Sequence, residues 1–135
     1  MDITNIEQIR EFFSHDRYAA ECGCYIEEAG ERYAKVTVRL SDNHRNAVGG
    51  VMGAVYFTLA DFTFAVASNA WLDKPDVVSV SSNIAFLNYC KGAVLTAEAV
   101  CIKDGRTTCC YEVNISDDTG KKIAFVSITG CHSGR

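Results

Sequence analysis

From Ala47 to Leu72 the chain carries one charged residue, Asp61, in a run that is otherwise uncharged and largely apolar. This run limits the possible folds more than any other feature. Between Val48 and Asn69 apolar residues fall on all sides of a helical projection, and a helix of that kind is either buried or spans a membrane. The run is long enough to span. Asp61 near its middle, the interior Thr58, Thr63 and Ser68, and the glycines at its start argue for burial within a protein instead. The remainder of the chain is patterned for a water-facing sheet, so the expected arrangement is a long central helix swathed by sheet, with no membrane partner.

The sheet is read from period-two alternation. In Tyr33–Leu40, Ala34, Val36, Val38 and Leu40 face one way and Lys35, Thr37 and Arg39 the other, the signature of a half-buried strand. Cys24–Glu28 is its expected hairpin partner. After Pro75, strands are expected over Val77–Asn88, Ala93–Lys103, Thr107–Ser116 and Lys122–Cys131. Turns at Asp104-Gly105 and Asp117–Gly120 separate the last three. Successive strands with short links predict an antiparallel meander. At the N-terminus, Thr4-Asn-Ile-Glu7 reads as a capping box with Thr4 as N-cap, opening a helix to about Ser14. The fold class is α+β: an antiparallel sheet wrapped around a long central helix.

The 135 residues suit a single domain over 1–135. A net charge of −4 without a basic stripe argues against a nucleic-acid partner. The N-terminus has no basic start followed by an apolar segment, so a cytoplasmic protein with reduced thiols is expected. Seven cysteines and three histidines are present. No C-x-x-C pair occurs and the histidines are scattered, so no metal is expected. The cysteines read as small buried hydrophobes in strands.

Two features of the apolar run could carry chemistry. Asn46-Ala-Val-Gly-Gly-Val-Met-Gly53 leads into the helix. A helix entrance offers unsatisfied N–H groups and partial positive charge suited to a developing oxyanion. The same glycines also fit a loop needing positive φ, or close helix–sheet packing. Asp61 is a poor mid-helix residue and costly to bury unpaired. Helical spacing places Ala54, Phe57, Thr58, Ala65 and Ser68 on its face. A site-lining acid and a carboxylate bonded to a strand or subunit fit this pattern equally. Asp61 lies eight residues after Gly53, roughly 12 Å along a helix, whereas two groups serving one carbonyl must each lie about 3 Å from it. If the two cooperate, they come from two copies of the chain related by a two-fold axis.

His44-Arg-Asn-Ala-Val-Gly-Gly-Val-Met-Gly53, followed by Leu59-Ala-Asp61, resembles the hotdog-fold thioesterases of the phenylacetyl-CoA (PaaI-like) type. Their pattern is H-x-N-x-x-G-x-x-H-G-G and then L-A-D or L-A-E. His44, Asn46, Gly49, Gly53 and Asp61 match in register. The resemblance continues through Val78-Ser-Val80 to Asn83-Ile84, Asp104-Gly-Arg-Thr107 and Gly120-Lys-Lys-Ile-Ala124, covering nearly the whole chain. It implies hydrolysis of an acyl-CoA thioester, with CoA as part of the substrate and no separate cofactor. Asp61 is then nucleophile or general base, Gly53 the carbonyl-polarising amide, Asn46 a positioning residue and Ser79 a holder of water. The resemblance further implies CoA contacts at Met52, at Asn88, Tyr89 and Lys91, and at Lys103, Gly105 and Arg106. It implies a homodimer with interfacial sites, and a homotetramer.

The sequence departs from this pattern where Met52 replaces the motif His and Ala54 the second Gly. Met cannot supply the hydrogen bond of His. This leaves a second reading, a non-catalytic acyl-CoA or lipid-binding protein of the same fold. Tyr56, Phe57, Phe62, Phe64 and Trp71 are candidates for an aromatic acyl pocket or for core packing.

Overall fold

The computed structural model describes residues 1–134. In chain order they form α1 (Ile6–Phe13), α2 (Arg17–Cys22), β1 (Tyr25–Gly30), β2 (Tyr33–Arg39), a 3-10 turn (Asp42–His44), α3 (Gly53–Asn69), β3 (Val77–Phe86), β4 (Val94–Asp104), β5 (Thr108–Asp117) and β6 (Lys122–His132). The six strands make one antiparallel sheet in the order β1-β2-β4-β5-β6-β3. It wraps α3, the hotdog arrangement that the resemblance implies.

The alternation read in β2 is realised fully, with Ala34, Val36 and Val38 without exposed surface. They meet Leu59, Ala60, Val66 and Ala67 of α3 and the inner residues of β4–β6 in one apolar core. Small residues make room for the helix. A Cβ on Gly130 would lie 2.6 Å from the Phe64 ring and 3.0 Å from the Cys109 Sγ. Phe64 uses that space to pack edge-on against Tyr111, with ring centroids 5.3 Å apart. The hydroxyls of Thr58, Thr63 and Ser68 turn back on the carbonyls of Ala54, Leu59 and Phe64. Three polar side chains are thus satisfied inside an apolar helix without a partner from the sheet. Register shifts between Ser79 and Ser81 and between Cys101 and Lys103 mark bulges, which bend and twist a sheet. No helix among the described residues is long and apolar enough to cross a membrane.

Three expectations are corrected, and one element is added. The strands after α3 do not form a simple meander. β3 pairs with β6, not β4, and the link from Leu87 to Ala93 crosses the ends of β5 and β6 to reach the far side. Hydrogen bonds fix that crossing: Leu87 N–H donates to the Ile123 carbonyl, Asn88 Nδ2 to the Lys122 carbonyl, and Gly92 N–H to Asp117 Oδ2. The N-cap of α1 is Asn5, whose Oδ1 accepts from Gln8 N–H at 3.1 Å; Thr4 instead bonds Asp2. A second short helix, α2, occupies a stretch that carries too few residues for a periodicity to show. Of the cysteines only Cys90 and Cys109 are buried, and Cys22, Cys24 and Cys90 lie outside the strands.

Candidate active site

Asp61 sits in the middle of α3 on its one uncovered stripe. Ala54 and Phe57 are exposed, and Thr58, Asp61 and Ala65 are partly so, while the rest of the helix from Phe62 to Ala70 is buried. Ser68, expected on this stripe, is 2 % exposed, because the stripe closes over at the helix end, where the Asn69 amide bonds both backbone groups of Val77. Among the described residues, nothing hydrogen-bonds to the Asp61 carboxylate. It lines two adjoining cavities. One, of about 470 Å³, is walled by Asp16, Arg17, Tyr18, Phe57, Thr58 and Phe62. The other, of about 370 Å³, includes Phe12, Asp16, Phe64, Asp76, Val78 and Ser79.

The structure therefore brings Ser79 to Asp61. It also brings Asp16, which the sequence reading missed. Asp16 is the residue before α2 and makes no capping bond with its side chain. Desolvation, and then the charge of Asp61, push its carboxyl above the usual Asp range. Only the tertiary packing of α2 on α3 sets these two acids together, and an Asp ahead of a short helix looks like any cap in sequence.

Gly53 is elsewhere. It begins α3, and its cavity of about 520 Å³ is lined by Val51, Tyr56, Phe86, Leu87, Asn88 and Tyr89. The Gly53 N–H makes no hydrogen bond among the described residues. A Cβ here would come within 3.1 Å of the Phe86 ring, so glycine lets the ring close on the helix entrance. Gly53 and Asp61 thus open into different cavities of one chain, as their eight-residue spacing on a continuous helix requires.

Asn46 builds the loop before α3. Its Oδ1 accepts from the N–H groups of Val48 and Gly50, both at 3.0 Å, while Gly49 takes φ +90°. The Asn46 oxygen is committed to the loop, and its amide NH₂ is the group left for a ligand. His44 is structural: Nδ1 accepts from Ser41 N–H at 2.9 Å and Nε2 donates to the Cys22 carbonyl at 2.6 Å. Met52 stands 53 % exposed beside Thr58, His44 and Cys22.

The expected CoA contacts divide into two groups. Asn88, Tyr89 and Lys91 precede β4, and Lys103, Gly105 and Arg106 lie at and beyond its end. An 11-residue strand separates them by about 33 Å at roughly 3.3 Å per residue. Within one chain the two groups occupy opposite ends of the sheet. Of the aromatic candidates, Phe57, Phe62 and Phe64 border the Asp61 cavities and Tyr56 the Gly53 cavity. Trp71 instead stacks under the Arg32 guanidinium, 4.2 Å from its ring centroid. No group of three or more His, Cys, Asp or Glu among the described residues is placed to hold a metal ion.

A sheet-wrapped helix with an unbonded acid on its open stripe and free N–H groups at its entrance is the framework of a hotdog thioester hydrolase. Residues 48–124 match the model of the thioesterase superfamily, and the chain belongs to that superfamily. A curated protein of Archaeoglobus fulgidus, carrying a provisional esterase name, is 30 % identical over 125 residues, 92 % of this chain and 80 % of that protein. A hypothetical thioesterase of Streptococcus pneumoniae TIGR4, solved with coenzyme A, is 28 % identical; the match covers 90 % of this chain and 94 % of that one, with a TM-score of 0.81. The Escherichia coli PaaI protein shares the fold at a TM-score of 0.79 and 24 % identity, over 95 % and 96 % of the two chains.

Proposed function

We propose that the thioester cleaved is an acyl-CoA, and that each site is built from two copies of the chain. The observation that carries the reading is the Asp61 carboxylate, facing a cavity with no hydrogen-bond partner among the described residues. A half-exposed acid with nothing to satisfy it is available to a water or a substrate carbon. Ser79 in the same cavity can hold that water. The carbonyl polariser must come from a second copy, since Gly53 of the same chain opens into another cavity. β3 supports this arrangement. It is a ten-residue edge strand, exposed along most of its length, and such an edge invites pairing. α3 and β3 run antiparallel, with Asn69 on Val77 and Gly53 under Phe86. Joining two β3 edges about a two-fold axis would carry Gly53 and Asn46 of one copy toward Asp61 of the other.

In this reading Asp61 takes a proton from water, which attacks the thioester carbon. The carbonyl oxygen accepts from the Gly53 N–H, and CoA leaves as the thiolate. The split of Asn88, Tyr89 and Lys91 from Lys103, Gly105 and Arg106 is resolved the same way, with each CoA touching one group from each copy. The exposed cations suit its phosphates. The coenzyme A in the Streptococcus pneumoniae relative supports the substrate class. A cytoplasmic setting suits a CoA ester, and pairing of dimers into a tetramer belongs to the same proposal.

The test is hydrolysis of a panel of aromatic and aliphatic acyl-CoAs, followed with a thiol reagent. Asp61→Ala is expected to lose roughly 10²–10⁴-fold in kcat, the usual contribution of a positioned base. Equal rates in the two proteins would sink the proposal. Saturable binding of acyl-CoA without turnover in the wild type would favour the non-catalytic reading that Met52 suggests.

A further inference from the structure

Taking the substrate to be an acyl-CoA, as proposed above, we infer that His132 is a positioning residue for it. Its imidazolium bridges Asp76 and Asp104 and so ties the β4–β5 turn to the wall of the Asp61 cavity. The cations of that turn then hold the phosphates of the thioester that lies at Asp61 of the same copy.

The bridge is built from both ends. Nδ1 of His132 lies 3.1 Å from Asp76 Oδ1, and Nε2 lies 3.1 Å from Asp104 Oδ1. Asp76 is also held by the end of the chain. Its carbonyl accepts from the Ser133 N–H and hydroxyl, and its Oδ2 accepts from Gly134 N–H. Asp76, Val78 and Ser133 line the second Asp61 cavity, so this knot is part of its wall. On the other side, His132 N–H donates to the Thr107 carbonyl at 2.9 Å, and Gly105 N–H closes the turn on the Thr108 carbonyl at 2.8 Å. Val78, Cys131 and Thr108 lie side by side on β3, β6 and β5. Two strand spacings of about 4.8 Å put the base of the turn roughly 10 Å from the cavity wall. The pantetheine arm of CoA spans such a gap between its thioester and its phosphates.

Asp104 stands between two exposed cations, Lys103 and Arg106. Its carboxylate turns inward instead, with Oδ2 accepting from Arg32 Nε at 3.0 Å and Oδ1 facing His132. Among the described residues neither Lys103 nor Arg106 pairs with an acid, which leaves both for an anion. The bridge requires the imidazolium, because a neutral ring has one N–H and would turn a lone pair on the other carboxylate. The charged and titratable groups around it are Asp76 ahead of β3 and Asp104 on β4, with Lys74 acting on the first and Arg32 and the neighbouring Cys109 of β5 on the second. Hydrogen bonds to Asp104 and then Asp76 raise the His132 value. The link is therefore whole below the ordinary His value and is lost as pH rises through the folded one.

The test compares an acyl-CoA with the same acyl group on N-acetylcysteamine, which has the thioester and no phosphate. The single amide nitrogen of His132→Gln cannot serve both carboxylates. Its KM for the acyl-CoA should rise about fivefold, the worth of one hydrogen bond, with kcat within about twofold. The constants for the N-acetylcysteamine ester should stay with those of the wild type. In the wild type, KM for the acyl-CoA should rise likewise across about pH 7–9, above the titration of the CoA phosphates, while KM for the short ester stays flat. That profile decides the matter even if the variant fails to fold. A flat wild-type profile, an unchanged KM in a folded His132→Gln, or an equal rise for both esters overturns the positioning role and leaves the hydrolase reading intact. Turnover of neither ester by the wild type overturns the hydrolase reading, and this inference with it.

Discussion

Asp61, partly exposed, and Asp117, buried, are both carboxylates, and the chain uses them in opposite ways. Asp117, at the end of β5, is 5 % exposed. Its oxygens accept from Gly92 N–H, Thr119 N–H, the Thr119 hydroxyl and Lys121 N–H. Those bonds, the Thr119 hydroxyl foremost, hold its carboxyl down to about 2. They close the β5–β6 turn and pin the link that carries the chain from β3 to β4. Asp61 accepts nothing among the described residues and faces open cavities. An acid whose lone pairs are filled by backbone donors is spent on structure. One left unfilled on a rigid helix is free to act on something that binds.

Exchanging each acid for its amide breaks the contrast most directly. Asp117→Asn should lose about 2–3 kcal/mol of stability, since several donors lose a charged acceptor; chemical denaturation measures it, and thioester turnover per folded molecule should hold. Asp61→Asn should do the reverse, losing turnover with stability within about 0.5 kcal/mol of wild type. If Asp61→Asn unfolds the protein instead, the carboxylate is structural. The depressed Asp117 carboxyl also fixes a sign. Its contribution to stability is fully present above the ordinary Asp value of 3.8 and is lost as pH falls through about 2.

A smaller effect is expected from Asp16, the second acid in the Asp61 cavities. Asp16→Asn leaves a side chain of the same shape without the acid that desolvation holds above the usual Asp range, so kcat/KM should change by less than about tenfold. An unchanged kcat/KM on the acyl-CoA panel would leave Asp16 outside the chemistry.

The smallest effect concerns a third carboxylate arrangement. His132 lies between Asp76, 3.1 Å from Nδ1, and Asp104, 3.1 Å from Nε2, and Asp104 also pairs with Arg32 at 3.0 Å. Hydrogen bonds to Asp104 and Asp76 raise the His132 value, and both carboxyls are lowered. The imidazolium contribution is present below the ordinary His value of 6.5 and fades as pH rises through the folded one. The carboxylate contribution is present above 3.8 and fades as pH falls. Stability conferred by this cluster should therefore peak between those limits. His132→Gln should flatten the pH dependence of Tm on the alkaline side, a change worth about 1 kcal/mol.

Much of this architecture is legible in the sequence because it rests on local periodicity. Alternation in β2, apolarity all round α3 and the Asp-Gly and Asp-Asp-Thr-Gly turns each depend on neighbours a few residues away. Asp61 is legible for the same reason, as one charge in an apolar run, and its eight-residue distance from Gly53 follows from helical rise alone. The tertiary structure decided what depends on distant parts of the chain. β3 pairs with β6, and the crossing from Leu87 to Ala93 is held by Asp117, Lys122 and Ile123, far along the sequence. Asp16 faces Asp61 because α2 packs on α3, and Asn46 spends its oxygen on its own loop. Strand order and side-chain partnership are set by packing between segments far apart in sequence, and no pattern within one segment records them.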